Sequence, residues 1–182
     1  MRDVMMDIET MSTDSNAVVV SISCVEFDLE TGEIGSKFER GLKLNPQVKA
    51  GGVVDMNTVM WWMEQSDEAR AALTFYYRKP VKEVLMELNT WLGSLHDNIK
   101  DLKLWGNGAT FDNVIVRNLC KRHDMELMVP FWCDNDVRTL VTLSGINTRD
   151  YEFTGVKHHG IDDCKHQIKY CVDGYNKLKG AE

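Results

Sequence analysis

Asp7-Ile8-Glu9 sets two carboxylates two residues apart in a stretch, Val4 to Glu9, that reads as a short strand. Residues i and i+2 of a strand share one face, so both acids project together. Paired carboxylates on a core strand are costly unless a cation sits between them. A hard divalent ion, Mg²⁺ or Mn²⁺, is the partner such oxygen donors suit. The same D-x-E spacing recurs at Asp28/Glu30, Asp124/Glu126 and Asp150/Glu152, in polar, turn-like surroundings where solvated acids cost little.

Two further groups carry chemistry-bearing side chains. In Asn107-Gly108-Ala109-Thr110-Phe111-Asp112, a glycine-containing loop delivers Asp112 to the opening of a helix. Alone, Asp112 would be an ordinary first-turn acid stabilised by the helix dipole. In His158-His159-Gly160-Ile161-Asp162-Asp163, His158 lies in a loop and Asp163 in the first turn of the last helix, off its apolar stripe. H-x₄-D also occurs at His96/Asp101, so this spacing is weak by itself. Asp162 is a near-miss for the same role. His159, His166 and Cys164 form no convincing soft-metal set.

These residues need elements to hold them. The stretches Val4–Glu9, Ala17–Phe27 and about 37–44 are β-rich and joined by short turns, an antiparallel meander. Ser66-Asp67-Glu68 caps a short helix, and Pro80 opens a longer one with the stripe Val81, Val84, Leu85, Leu88, Trp91, Leu92 and Leu95. Leu102–Trp105 is a fourth strand, and Phe111, Val114, Ile115 and Leu119 mark the next helix. The final helix, about 161–178, has the stripe Ile161, Cys164, Ile168, Cys171, Val172, Tyr175 and Leu178. A meander followed by alternating strand and helix predicts an α/β or α+β fold with a mixed sheet flanked by helices.

At 182 residues, without repeats or a low-complexity linker, the chain reads as one domain, 1–182. A hydrophobic share of 43% excludes wholesale disorder, and no apolar run approaches the roughly 20 residues of a membrane span. Five cysteines without a C-x-x-C pair, and a start lacking a signal-peptide core, lead us to expect free thiols in a cytoplasmic protein. The net charge of −7 argues against a broad phosphate-binding surface.

In order, a D-x-E strand, N-x₃-F-D and H-x₄-D opening a terminal helix resemble the three motifs of the DEDDh exonucleases, in the ribonuclease H-like superfamily. The resemblance implies an α/β ribonuclease H-like fold, with two divalent cations, Mg²⁺ or Mn²⁺, bound by Asp7, Glu9, Asp112 and Asp163. It makes His158 the general base, with Glu9 grouped with it as catalytic, and the histidine spacing fits this branch rather than the tyrosine one. It also implies substrate contacts at Thr10 and Met11, directly after the first motif. We add Asn107 and Arg138 as substrate-binding candidates, with Arg149 and Lys157 as further cations near the third motif. Adjacent Trp61 and Trp62 would face about 100° apart on a helix, one to the core and one free to stack on a base. Segments around Asp7–Met11, Trp61-Trp62, Phe131-Trp132 and Asp136–Thr139 are similar to those of phage members.

The implied activity is 3′–5′ hydrolysis of single-stranded nucleic acid, releasing nucleoside 5′-monophosphates. DNA is favoured over RNA as the 3′-end partner, with no membrane; a homodimer is compatible with this reading. A third reading, an idle ribonuclease H-like binding module, sits poorly with an intact set of four buried like charges and a histidine.

Overall fold

The β-branched runs build the expected meander: β1 (Asp3–Thr10), β2 (Val19–Phe27) and β3 (Ile34–Gly41), each antiparallel to the next. A computed structural model describes residues 2–74 and 77–180. Asp28 closes the β2–β3 turn, its carboxylate accepting from the Glu30 and Thr31 backbone and the Thr31 hydroxyl. The third strand stops earlier than its sequence suggests, because Leu44 starts α1 (Leu44–Lys49) instead of extending the sheet. Gln47 on α1 is fully buried, and its amide both accepts from the Val19 N–H and donates to the Val19 carbonyl at 2.7 Å. A side chain thereby does the work of a missing strand partner.

The helices α2 (Met56–Met63), α3 (Asp67–Ala72) and α4 (Val81–Leu95) follow. Ser66 caps α3 as expected, accepting from the Ala69 N–H. On α4 the predicted stripe buries Val81, Val84, Leu85, Leu88 and Leu92, with Trp91 and Leu95 packed at its margin. After β4 (Lys103–Gly106) and α5 (Asp112–Arg122) come two further elements, β5 (Asp134–Asp136) and α6 (Val137–Ser144). The last helix is α7 (Gly160–Lys179). Its stripe is buried from Ile161 to Val172, whereas Leu178 is exposed. The final turn lies beside the β2–β3 turn, with Asn176 and Lys179 bonded to Glu30, rather than over the sheet.

Strand order is β3-β2-β1-β4-β5, with β4 parallel to β1 and β5 parallel to β4. Val4, Met6 and Ile8 face α4 and α5, while Met5 packs with Val25, Phe27 and residues of α6 and α7. Asp7 and Glu9, in phase with Met5, share the α7 side. The meander lies on one side of β1 and the crossover strands on the other. Strand order therefore reverses at β1, and such a switch point opens a crevice beyond the carboxyl ends of the strands. All five cysteines are free and buried. Among the described residues no helix is long and apolar enough to cross a membrane.

Candidate active site

The crevice forms because β1 and β4 pair only from Asp3↔Lys103 to Met5↔Trp105 and then part. Asp112, the first residue of α5, fills the gap. Its carboxylate accepts from the Ile8 N–H at 3.3 Å and the Asn107 N–H at 2.8 Å, satisfying two strand-end donors. Gly106 permits this approach, since a Cβ there would meet the Asp112 Cβ at 3.1 Å. From the other side α7 brings Asp163, whose Oδ2 is buried without a hydrogen-bond partner among the described residues. Ligand atoms of Glu9, Asp163 and His158 lie within 4.8 Å of one another. The four acids and the histidine of the three motifs thus meet at one place, from β1, α5 and the start of α7.

Gly160 sets how closely α7 approaches. A Cβ there would lie 2.3 Å from Ser23 Oγ and 3.5 Å from Asp7 Oδ2. Because Ser23 is buried on β2, it has little room to yield. Gly160→Ala is expected to push the start of α7 outward, costing about 1–3 kcal/mol of stability and about 100-fold in rate through displaced site residues. Thermal melting and turnover measure both, and a variant unchanged in both would show that the contact is not this tight.

Asp7 alone on β1 keeps partial access to solvent, at the floor of a densely walled pit. Burial, then the charges of Asp112, Glu9 and Asp163, raise its carboxyl well above the usual range. Burial followed by Asp163 and Asp112 lifts Glu9 to about 9. Burial lifts Asp112 to about 6 against its backbone hydrogen bonds, and Asp163 also to about 6. Such a cluster is short of positive charge. Mutually repelling oxygen donors with a buried unpartnered carboxylate oxygen fit a hard divalent cation. His158 sits above them with φ 64°, its ring pKa lowered by burial and then by Lys157.

The remaining candidates separate. Arg138 Nε donates to Asn107 Oδ1 at 3.3 Å, so both line the rim beside Asp112. Thr10 is buried with its hydroxyl donated to the Ser12 carbonyl at 2.7 Å, while Met11 is half-buried behind it. Trp62 is the core member of its pair and Trp61 the exposed one, as the helical phase predicts. Arg149 lies on the exposed 148–150 turn with no hydrogen bond to the site among the described residues, and Lys157 is exposed. Asp162 is turned away, bonded to the Val156 N–H and Lys165. Sequence reasoning missed Gln167, which donates to Asp7 Oδ1 at 2.9 Å. Its signal was a polar residue one helical turn beyond Asp163, on the same face.

The family profile of the 3′-5′ exoribonuclease Rv2179c-like domain matches residues 2–173. The chain belongs to this family. This Rv2179c-like chain is thus a 3′–5′ exonuclease. Among solved structures it is similar to the nuclease domain of 3′hExo, a DEDDh family member, bound to rAMP, over 99% of this chain and 93% of that one, at 12% identity and TM-score 0.63. A second is E. coli exonuclease I in complex with a dT13 oligonucleotide, over 97% of this chain but 41% of that one, at 11% identity and TM-score 0.66. A third is the 3′-exonuclease that recognises a histone mRNA stem-loop, over 99% and 83%, at 13% identity and TM-score 0.62. The Rv2179c-like chain spans less than half of the exonuclease I chain. At such identities the likeness concerns the fold, which is the mixed, helix-flanked sheet of DEDDh exonucleases. No curated protein matches the sequence.

Proposed function

We propose that the protein removes nucleotides one at a time from the 3′ end of single-stranded RNA, releasing nucleoside 5′-monophosphates. The observation that carries this reading is the convergence of four acids from β1, α5 and α7, with His158 above them, in the crevice at the switch point. The family description supports RNA. DNA is the second reading, which follows from reading Asp7–Met11 and Trp61-Trp62 as resembling exonuclease A of T-even bacteriophages.

Asp7, Glu9, Asp112 and Asp163 would hold two divalent cations, Mg²⁺ or Mn²⁺. Bound there, such ions would polarise the phosphoryl group and acidify an attacking water. The protein's own residues do the rest. Gln167 fixes the rotamer of Asp7, and two backbone N–H groups fix Asp112. His158, its ring pKa lowered by burial and then by Lys157, would accept the proton of the attacking water at a ring nitrogen. Arg138, steadied by Asn107, meets a phosphate of the substrate, and the exposed Trp61 offers a face to the terminal base. The backbone at Thr10 and Met11 borders the place of the terminal sugar. All the residues named in the proposal come from one chain.

The test uses 5′-labelled single-stranded RNA and matched DNA, with Mn²⁺ or Mg²⁺ and with EDTA. A ladder shortening from the 3′ end of RNA, abolished by EDTA, is the expected result. A ladder on DNA alone would replace RNA by DNA, and no cleavage of either with any divalent ion would sink the reading.

A further inference from the structure

Among the described residues the His158 side chain makes no hydrogen bond, although its backbone N–H is held by the Asp163 carboxylate. Its backbone occupies the left-handed region that favours glycine, in a stretch before α7 without helix or strand. What the ring does meet is a corner of two indoles. Trp61 stands 5.0 Å away at 80° and Trp62 5.7 Å away at 82°, both edge-to-face, and the two indoles meet each other at 4.9 Å and 70°. Edge-to-face contact is the arrangement that aromatic quadrupoles favour, so it fixes ring angle as well as distance.

The corner is anchored where the carboxylates are. Trp62 is buried, and its Nε1–H donates to the Thr10 carbonyl at 2.9 Å, one residue beyond Glu9. An imidazole seated against this pair is therefore referenced to the end of β1, not to its own loop. We infer that Trp61 and Trp62 are positioning residues that hold the His158 ring over the carboxylate cluster. This inference rests on the reading of His158 as general base. Trp62 also carries core packing, so truncating it confounds position with folding. Trp61 is 42% exposed and separates the two.

The experiment compares Trp61→Leu, Trp61→Phe, His158→Ala and the double variant Trp61→Leu/His158→Ala, on the polymer selected by the ladder assay. Misplacing a catalytic group by about 1 Å can cost about 100-fold. Trp61→Leu is expected to lower kcat about 10- to 100-fold, on top of whatever rise in KM the lost stacking face brings, and Trp61→Phe to keep kcat within about threefold of wild type. The double variant should be no slower than His158→Ala, because a wall has no effect once the ring it holds is gone. The Mn²⁺-induced rise in melting temperature should be equal in all four, showing the carboxylates undisturbed. A raised KM with unchanged kcat in Trp61→Leu would overturn the inference in favour of a base-stacking platform alone. Full multiplicative loss in the double variant would overturn it too, since Trp61 would then act independently of His158. His158→Ala at the wild-type rate would instead overturn the base assignment, and the inference with it.

Discussion

Asp7→Asn gives a folded protein that does not degrade nucleic acid and that, free of metal, melts above the wild type. Asparagine keeps the carbonyl that accepts from Gln167, so the local geometry survives. It removes one charge from a cluster in which Asp112, Glu9 and Asp163 all disfavour ionised Asp7. Turnover is expected to fall by at least about 10³-fold, since the floor of the cation site is gone. Metal-free stability should rise by about 1–3 kcal/mol, or about 3–9 °C. The pH dependence follows from the raised folded-state values. A carboxyl whose pKa is raised by folding contributes stability that is complete below its unfolded pKa and is lost as pH climbs through the folded one. Asp112 and Asp163 act between their ordinary 3.8 and about 6, and Glu9 between 4.5 and about 9. The metal-free wild type should therefore melt progressively lower from mild acid to pH 9, and Mn²⁺ should restore it most at the alkaline end. At a hundredfold excess over its dissociation constant, a bound ion adds about 2.7 kcal/mol. Melting curves from pH 5 to 9, with EDTA or Mn²⁺, read all of this. Wild-type turnover in the variant, or a metal-free melting temperature that rises with pH, would refute the assignment.

His158→Ala loses about 10²- to 10⁴-fold in rate, the usual contribution of a positioned general base. It keeps the Mn²⁺-induced rise in melting temperature, because the carboxylates that hold the ion are untouched. The space it vacates is bounded by the indoles of Trp61 and Trp62 and shaped for a five-membered ring. Added imidazole is therefore expected to restore part of the rate, in proportion to its unprotonated concentration. A single-turnover assay with and without imidazole measures this. Retention of the full rate at neutral pH would remove His158 from the chemistry.

Which parts of the molecule are legible in the sequence follows from how far each signal reaches. The meander, α4 and α7 showed because their apolar residues repeat over many positions, and Ser66 and Pro80 mark helix starts by local chemistry. β5 is three half-buried polar residues, Asp134-Asn135-Asp136, which no hydrophobic period could reveal. α1 is six residues with Pro46 inside it, too short for a stripe, so the strand before it was read too long. α6 did have a cue that went unread, Asp136 capping the Thr139 N–H. The acids and His158 were legible because each motif packs its chemistry into a few residues. The Gln167 bond to Asp7 and the indole corner around His158 join distant stretches, which spacing cannot report.

That distance has a kinetic meaning. Asp7 and Gln167 are 160 positions apart, and Ile8 and Asp112 are 104 apart. Contacts that close such long loops form late, because their entropy must be met before they return anything. Until α7 seats, the pit holds Asp7 and Glu9 without Asp163 or the histidine. A half-folded chain is thus inert toward the nucleic acid around it. The activity of the finished protein depends on its first strand and its last helix being docked together.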